Sequence, residues 1–227
     1  MNFWNALLQP LKDVREEFTL VQKWQRIDEY RPNWMPLVDF SEEKGCLIDV
    51  GCHYGLASAY YIQKTGAKAY GFDINSRVNR LLKQKLHSTP FDEKFIVMGH
   101  GLSNENKIVQ SYRDTKYSGA GTVQEEQVVL AERMLQLHLK KDEMVTVKRL
   151  DDILIPERIA YIKIDCEGNE NNVLLGAKET IQKNLPIIIF EALTNDKLQE
   201  CTATLKKMNY GVKKIDERNF IARREST

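Results

Sequence analysis

Residues 47–55, Leu47-Ile48-Asp49-Val50-Gly51-Cys52-His53-Tyr54-Gly55, leave this chain few folds to choose from. Leu47 to Val50 is a short apolar, β-branched run and reads as a buried strand. It stops at Gly51. A second glycine follows at Gly55, and Leu56-Ala57-Ser58-Ala59-Tyr60-Tyr61-Ile62 can run as a helix. A strand, a glycine turn and a helix make a cradle for a cofactor. Glycine lets the backbone pass close to a ligand, because no Cβ intrudes and positive φ is accessible. The helix N-terminus offers unpaired N–H groups to an anionic group. Asp73 ends the next strand-like run, Ala67 to Phe72. An acid there, about 20 residues on, is placed to accept hydrogen bonds from ribose hydroxyls.

The turn also discriminates between cofactors. A dinucleotide fingerprint wants G-x-G-x-x-G, with room for a pyrophosphate. Here the turn is G-x-x-x-G, with Asp49 just before it. One acid and two glycines suit a cationic amino-acid headgroup better than a pyrophosphate, which points to S-adenosylmethionine. The competing account is a glycine turn in an unrelated αβ unit, with Asp73 an ordinary acid at a strand end.

The rest of the chain is consistent with one α/β domain. Its 227 residues suffice for a full core. The net charge is +1, from 33 basic and 32 acidic residues, so nothing demands an electrostatic match to nucleic acid. No apolar run approaches the length needed to span a bilayer, and no signal peptide is expected. Cys46, Cys52, Cys166 and Cys201 have neither zinc-ligand spacing nor the density of a disulfide framework. A reduced, cytoplasmic location is the expectation.

Apolar positions from Phe3 to Trp24 recur at helical spacing, broken by Pro10. They predict a helical cap over residues 1–40, ahead of a cofactor-binding domain over 41–227. A cap packed on the sheet, a dimer face and a lid all suit it, and a homodimer could form through these helices. Beyond it, strands are expected at 46–50, 68–72, 94–98, 160–164, 186–190, 211–215 and 219–223. Helices are expected at 56–65, 76–87, 169–183 and 195–208. Alternation of this kind predicts a Rossmann-like, mostly parallel seven-stranded sheet with helices on both faces. The last two strands are separated only by a short turn and read as an antiparallel hairpin. Residues 111–145 depart from the pattern. Ser118-Gly119-Ala120-Gly121-Thr122 reads as a flexible insertion, followed by a helical stretch over 124–139. A substrate loop and a plain connection both fit it.

In such sheets, ligands bind beyond the carboxyl ends of the strands. After the third strand, Gly99-His100-Gly101-Leu102-Ser103-Asn104 could form a wall against an adenine or a surface turn. After the fourth come Asp165-Cys166-Glu167-Gly168-Asn169-Glu170. Acids at a helix N-terminus complement its dipole, which accounts for one or two of them. Asp165, which closes a largely apolar strand beside Asp49, is expected in the site, and Glu167 with it. Glu170 reads as a helix-cap acid. Cys52 and Cys166 read as small residues filling space beside the cofactor.

These motifs, in order, resemble the FkbM-type family of S-adenosylmethionine-dependent methyltransferases. The resemblance rests on Ile48–Gly55, Gly71-Phe72-Asp73-Ile74-Asn75 and Gly101-Leu102-Ser103. It continues through Val147–Ile153, Tyr161–Gly168, Leu174-Leu175-Gly176-Ala177 and Pro186–Glu191. It implies a class I methyltransferase fold. It implies a cofactor site formed by Asp49, Gly51, Cys52, His53, Tyr54, Gly55, Asp73, Asn75, Gly101, Leu102, Ser103 and Asp165. The family usually has small or amide residues where Cys52 and His53 stand, and often Glu-Pro in place of Asp73-Ile74. The resemblance further implies O-methylation, the acceptor being a small molecule, sugar or glycan.

A hydroxyl is a weak nucleophile and needs a base or a metal to lose its proton. Asp165 and Glu167 are the first candidates, His53 the second, with Glu191 also in reach. Clustered carboxylates could hold Mg²⁺, but no ligand geometry is legible and no metal is predicted. The competing readings are a nicotinamide-dependent oxidoreductase and an inactive scaffold on a cofactor fold. A missing third glycine opposes the first, and intact Asp49, Gly51, Gly55 and Asp73 oppose the second.

Overall fold

The computed structural model describes residues 20, 22–87, 89–114, 121–126, 128–129 and 138–225. Most of the expected N-terminal helical cap, and Ser118 to Ala120 of the insertion, lie outside these residues. What is described of the cap is helical residues at 20 and 22–25, a short helix, α1 (Ile27–Tyr30), and a 3-10 turn at Met35–Leu37, with Leu20, Trp24, Ile27 and Met35 buried.

The chain enters the core at β1 (Cys46–Val50), every residue of which is buried. It turns through Gly51–Gly55 into α2 (Leu56–Thr65), which lies between two glycines in the left-handed region, Gly55 and Gly66. Next come β2 (Ala69–Phe72), α3 (Ser76–Leu86) and β3 (Phe95–Val97). After an excursion, the chain returns as β8 (Ile159–Ile164), α4 (Glu170–Leu175), α5 (Lys178–Asn184) and β9 (Ile187–Glu191). It closes with α6 (Asn195–Lys206), β10 (Tyr210–Lys214) and β11 (Asn219–Arg224).

These strands form one seven-stranded sheet in the order β10-β11-β9-β8-β1-β2-β3. β1 pairs in parallel with both β2 and β8, β2 with β3, and β8 with β9. The expected hairpin is present, and its second strand is the inserted one. β11 lies antiparallel between β9 and β10. Strand order reverses at β1, so the crevice above β1 is where such a sheet binds its ligand. Apolar clusters cover both faces, one built on Tyr61, Phe40 and Tyr161, the other on Phe72, Phe190 and Leu205.

Two expectations are corrected. The excursion carries more than a loop and a helix. It forms a second, four-stranded sheet of β4 (Gly101–Leu102), β5 (Lys107–Asp114), β6 (Gly121–Thr122) and β7 (Leu139–Lys148), in the order β4-β7-β5-β6. Of the helical stretch expected over 124–139, residues 125–126 and 128–129 are helical, 127 and 130–137 lie outside the described residues, and 139 already belongs to β7. β7 alternates only at its end, with Val145 and Val147 inward and Thr146 and Lys148 outward. The run of Lys140 to Glu143 ahead of it hides the strand from a periodicity count. The helix expected over 169–183 is two helices, broken at Gly176. A Cβ at Gly176 would stand 2.0 Å from the Ser103 carbonyl, so the segment after β4 passes where a side chain would be.

Candidate active site

The turn after β1 is held from both neighbouring strands. Gly51 and Cys52 donate their N–H groups to the Phe72 carbonyl at 2.8 and 3.2 Å, and Asp165 N–H donates to the Val50 carbonyl at 3.0 Å. Gly51 has φ +71°, and a Cβ there would lie 1.7 Å from the Asp165 carbonyl. The glycine therefore brings the ends of β1 and β8 together. His53 follows in the left-handed region, φ 44°. Its N–H donates to Asp73 Oδ2 at 2.8 Å, while Asn75 N–H donates to Asp73 Oδ1 at 2.8 Å. Asp73 thus ties the first turn to the start of α3. Burial raises its carboxyl above the ordinary range, against these two hydrogen bonds. From the far side, Trp24 Nε1 donates to the Tyr54 carbonyl at 3.0 Å.

Above this turn lies a cavity of about 330 Å³. Gly51, His53, Asp73, Asn75, Gly101, Leu102, Asp165 and Glu167 all line it, as do Cys166 and Asn169. Of the predicted site residues, Asp49, Cys52, Tyr54, Gly55 and Ser103 are not on its wall. Asp49 stands behind it, wholly buried, with Ser58 Oγ donating to Oδ2 at 2.7 Å and Lys163 Nζ 3.2 Å from Oδ1. Its charge meets an ammonium of the protein itself. Burial pushes the Cys52 and Cys166 thiols well above their usual range, which leaves both without thiolate character.

One side of the cavity collects acids. Asp165 and Glu167, just past β8, line it, and Glu170 and Glu191, the latter at the end of β9, stand beside them off its wall. Burial, then the nearby Asp165 and Glu170 carboxylates, push Glu167 up to about 7. Burial, then Asp165 and Glu167, push Glu191 up to about 8. Glu170 is committed to the turn, its Oε1 accepting from Cys166 and Gly168 N–H at 3.1 and 3.0 Å. It ties the loop ahead of α4 and does not cap the helix, whose N-cap position, Asn169, makes no side-chain capping bond. Burial, then Lys163 and Lys23, push the His53 imidazole down to about 4, so it is neutral at pH 7. Among the described residues, no three His, Cys, Asp or Glu side chains are grouped to hold a metal ion. None of the described helices is long and apolar enough to cross a membrane.

The second sheet supplies the wall that sequence reasoning missed. Ser111, Tyr112, Arg113, Gly121, Val123 and Asp142 line the cavity. Arg113 donates to Asn75 Oδ1 at 2.8 Å and pairs with Asp142 at 2.7 Å. Ser76 donates to Glu143 through its N–H and its hydroxyl at 3.1 and 2.8 Å. These contacts dock the hairpin on the first turn of α3. No residue of β5 or β7 is among the expected site residues, because β5 and the Lys140–Glu143 run of β7 carry no inward–outward alternation for a sequence reading to find. Lys163 was missed too, although a lysine inside the apolar run Ala160–Ile164 was a visible signal.

A larger cavity, about 670 Å³, opens at the opposite edge between Val38, Phe40, Tyr61, Lys64 and Gly66. It sits at the amino ends of β1 and β2, away from the strand-order reversal and from the acids. Placement and chemistry, not volume, single out the smaller one, whose size is within the small-molecule range of about 300–1,000 Å³.

The methyltransferase FkbM domain matches residues 49–212. No match is found among curated proteins. Among solved structures, the chain is similar to the FkbM methyltransferase of Methylobacillus flagellatus, at 17% identity and a TM-score of 0.59, covering 96% of this chain. This chain spans 60% of the length of that structure. Weaker likenesses include a putative rRNA methylase of Clostridium thermocellum, 11% identical with a TM-score of 0.48, covering 81% of this chain and 88% of that one. Another is a precorrin-6y methyltransferase of Geobacter metallireducens, 11% identical with a TM-score of 0.45, covering 81% of each chain. The fold is the Rossmann-like one of class I methyltransferases, and with the domain match running over more than half of its length, the chain belongs to the FkbM methyltransferase family.

Proposed function

We infer that the protein transfers a methyl group from S-adenosylmethionine to a hydroxyl of a sugar, glycan or other small acceptor. The observation that carries this reading is one cavity lined both by Asp73, just past β2, and by Asp165 and Glu167, just past β8. The donor set fits the cofactor. Each Asp73 oxygen takes one backbone N–H at 2.8 Å and retains a lone pair for a ribose hydroxyl. Phe72, Ile74, Gly101 and Leu102 offer an apolar wall suited to a base. Asp165 answers an ammonium. S-adenosylmethionine, when bound, supplies a methyl group already activated on a sulfonium sulfur. What remains for the chain is to hold the acceptor in line and take its proton. Glu167, at about 7, is poised as a base near neutral pH, whereas His53, pushed down to about 4, is a weak base there and is the poorer candidate. Residues before about 40 then act as a helical cap on the cofactor turn, which the hydrogen bond from Trp24 to the Tyr54 carbonyl supports.

Calorimetric titration with S-adenosylmethionine, S-adenosylhomocysteine and NAD tests the reading on wild type and Asp73→Ala. The adenosyl ligands are expected to bind and NAD to fail. The substitution should weaken binding by about 1–3 kcal/mol, the loss of a buried charged acceptor. A folded protein that ignores both adenosyl ligands would refute the cofactor. A second stage screens hydroxyl acceptors for a methylated product, which decides between O-methylation and another acceptor atom.

A further inference from the structure

Lys163 is a charge in a strand that otherwise has none. Ile159, Ala160, Tyr161, Ile162 and Ile164 are at most 3% exposed, and Lys163 itself is 6% exposed. A lysine buried this deeply is costly unless its ammonium is paired and hydrogen-bonded. It has four partners at the carboxyl edge. Nζ donates to the Gly51 carbonyl at 2.8 Å and to the Val50 carbonyl at 3.3 Å. It lies 3.2 Å from Asp49 Oδ1 and 3.5 Å from Asp165 Oδ2. The contact with Asp49 is an ion pair rather than a well-directed hydrogen bond, since Oδ1 has no directed donor. The two carboxylates differ in kind: the Asp49 side chain is wholly buried, whereas that of Asp165 is 40% exposed and lines the cavity.

The geometry points to Lys163 as a positioning residue, whose ammonium joins the cofactor turn to the acid that faces the acceptor and supplies the positive charge against which the acidic cluster ionises. The inference rests on the cofactor reading above. The groups around this ammonium come from every packed element. β1 and its turn contribute Asp49, Cys52 and His53, and Asp73 follows β2. Asp165, Cys166, Glu167 and Glu170 follow β8, Glu191 ends β9, and Arg218 approaches Glu167 from the turn between β10 and β11. Burial disfavours the charge on Lys163, but the fields of Asp49 and Asp165 outweigh it and hold the ammonium above its ordinary range. The same cation lowers Glu167 and Asp73 and opposes protonation of His53. Without it, the carboxyls would release their protons only at higher pH and His53 would gain one more readily. Each change leaves the cavity less able to favour a positive ligand at neutral pH.

Two ligands read this directly. S-adenosylmethionine carries a positive sulfonium, and S-adenosylhomocysteine lacks the methyl group and the charge. The ratio of their Kd values reports the ionisation of the cluster and does not depend on knowing the acceptor. It should be measured calorimetrically from about pH 6 to 9, where poised acids titrate, on wild type, Lys163→Met and the double variant Asp49→Asn, Lys163→Met. The double variant avoids leaving Asp49 charged and unpaired in the core, and circular dichroism checks that each variant folds. In wild type, preference for the sulfonium should rise with pH, with a midpoint between about 7 and 8, where Glu167 and Glu191 titrate. Loss of the cation should move that midpoint upward by about one pH unit or more in both variants. A folded double variant with an unmoved midpoint, or one that binds both ligands equally more weakly at every pH, would overturn the inference. Wild type that binds neither ligand would refute the cofactor reading instead, and the inference with it.

Discussion

Glu167 combines two unfavourable features at one position. Its backbone has φ 54°, in a region that side chains other than glycine seldom adopt, and its carboxyl is pushed up to about 7. Such strain persists where the surroundings enforce it, and it concentrates at working sites. The carboxyl also has a consequence for stability. Its pKa is higher folded than unfolded, so its favourable contribution is complete below the unfolded value and is lost as pH rises toward about 7. Glu167→Gln removes that penalty. The variant should match wild type near pH 4 and be more stable at pH 8 by about 1–3 kcal/mol, with the difference opening between those values. Thermal melts across this range would show it, and a pH-independent difference would refute it. If Glu167 is the base, the same substitution should lower methyl transfer by about 10²–10⁴-fold once an acceptor is found. A gain in stability with a loss of activity separates a working acid from a structural one.

At the scale of elements, α3 shows how the cavity is assembled. Asn75 caps it, Oδ1 accepting from Val78 N–H at 3.1 Å and also from Arg113 at 2.8 Å. One amide oxygen therefore fixes both the helix start and the docking of β5. Asn75→Ala should cost about 0.5–2 kcal/mol for the lost cap alone, and more if Arg113 loses its grip. Urea unfolding measures the sum, and a change below about 0.3 kcal/mol would mean that the cap is replaceable. The break between α4 and α5 gives a parallel case. Gly176→Ala should destabilise by about 1–3 kcal/mol, because its Cβ would press on the Ser103 carbonyl. Elements of this kind mark the boundary of what the sequence makes legible. β1, β2, β8 and β9 are apolar runs bounded by glycine, proline or acid, and local pattern suffices to find them. The break at Gly176 is set by a segment some seventy residues earlier in the chain, and β7 opens with Lys140-Lys141-Asp142-Glu143, a run no strand pattern would suggest. The positions of Asp73 and Asp165 follow from their strands. The pairing of Asp49 with Lys163 does not, because it depends on β1 and β8 lying side by side in register.

Across the whole molecule, chemistry is confined to one edge of the sheet. β1, β2, β8 and β9 deliver Asp73, Asp165, Glu167 and Glu191 to their carboxyl ends, and the second sheet leans over α3 to close the cavity. The opposite edge carries the larger cavity, lined by Phe40, Tyr60 and Tyr61, whose rings lie 5.3–6.3 Å from Phe40 and pack edge-on. Among the described residues, its wall mixes two acids, Asp39 and Glu43, with two lysines, Lys44 and Lys64. The two cavities make opposed predictions for hydrogen exchange. A ligand that binds only the folded state stabilises it by about 2.7 kcal/mol at a hundredfold excess over Kd, and this slows every amide that exchanges through global unfolding. Local protection is different, because it marks the segments whose own opening the ligand suppresses. With S-adenosylhomocysteine bound, that extra protection should fall on Gly51 to Gly55, Asp73 to Val78, Gly101 to Ser103 and Asp165 to Glu170. Residues 38–45 and 64–67 should slow no more than the global term requires. Protection centred on the second group would put the ligand in the larger cavity and remove Asp73 and Asp165 from the site. Protection of the first group that spreads through Ser111 to Arg113 and Lys141 to Glu143 would show the docked hairpin to be part of the binding wall, as Arg113, Asn75 and Asp142 require.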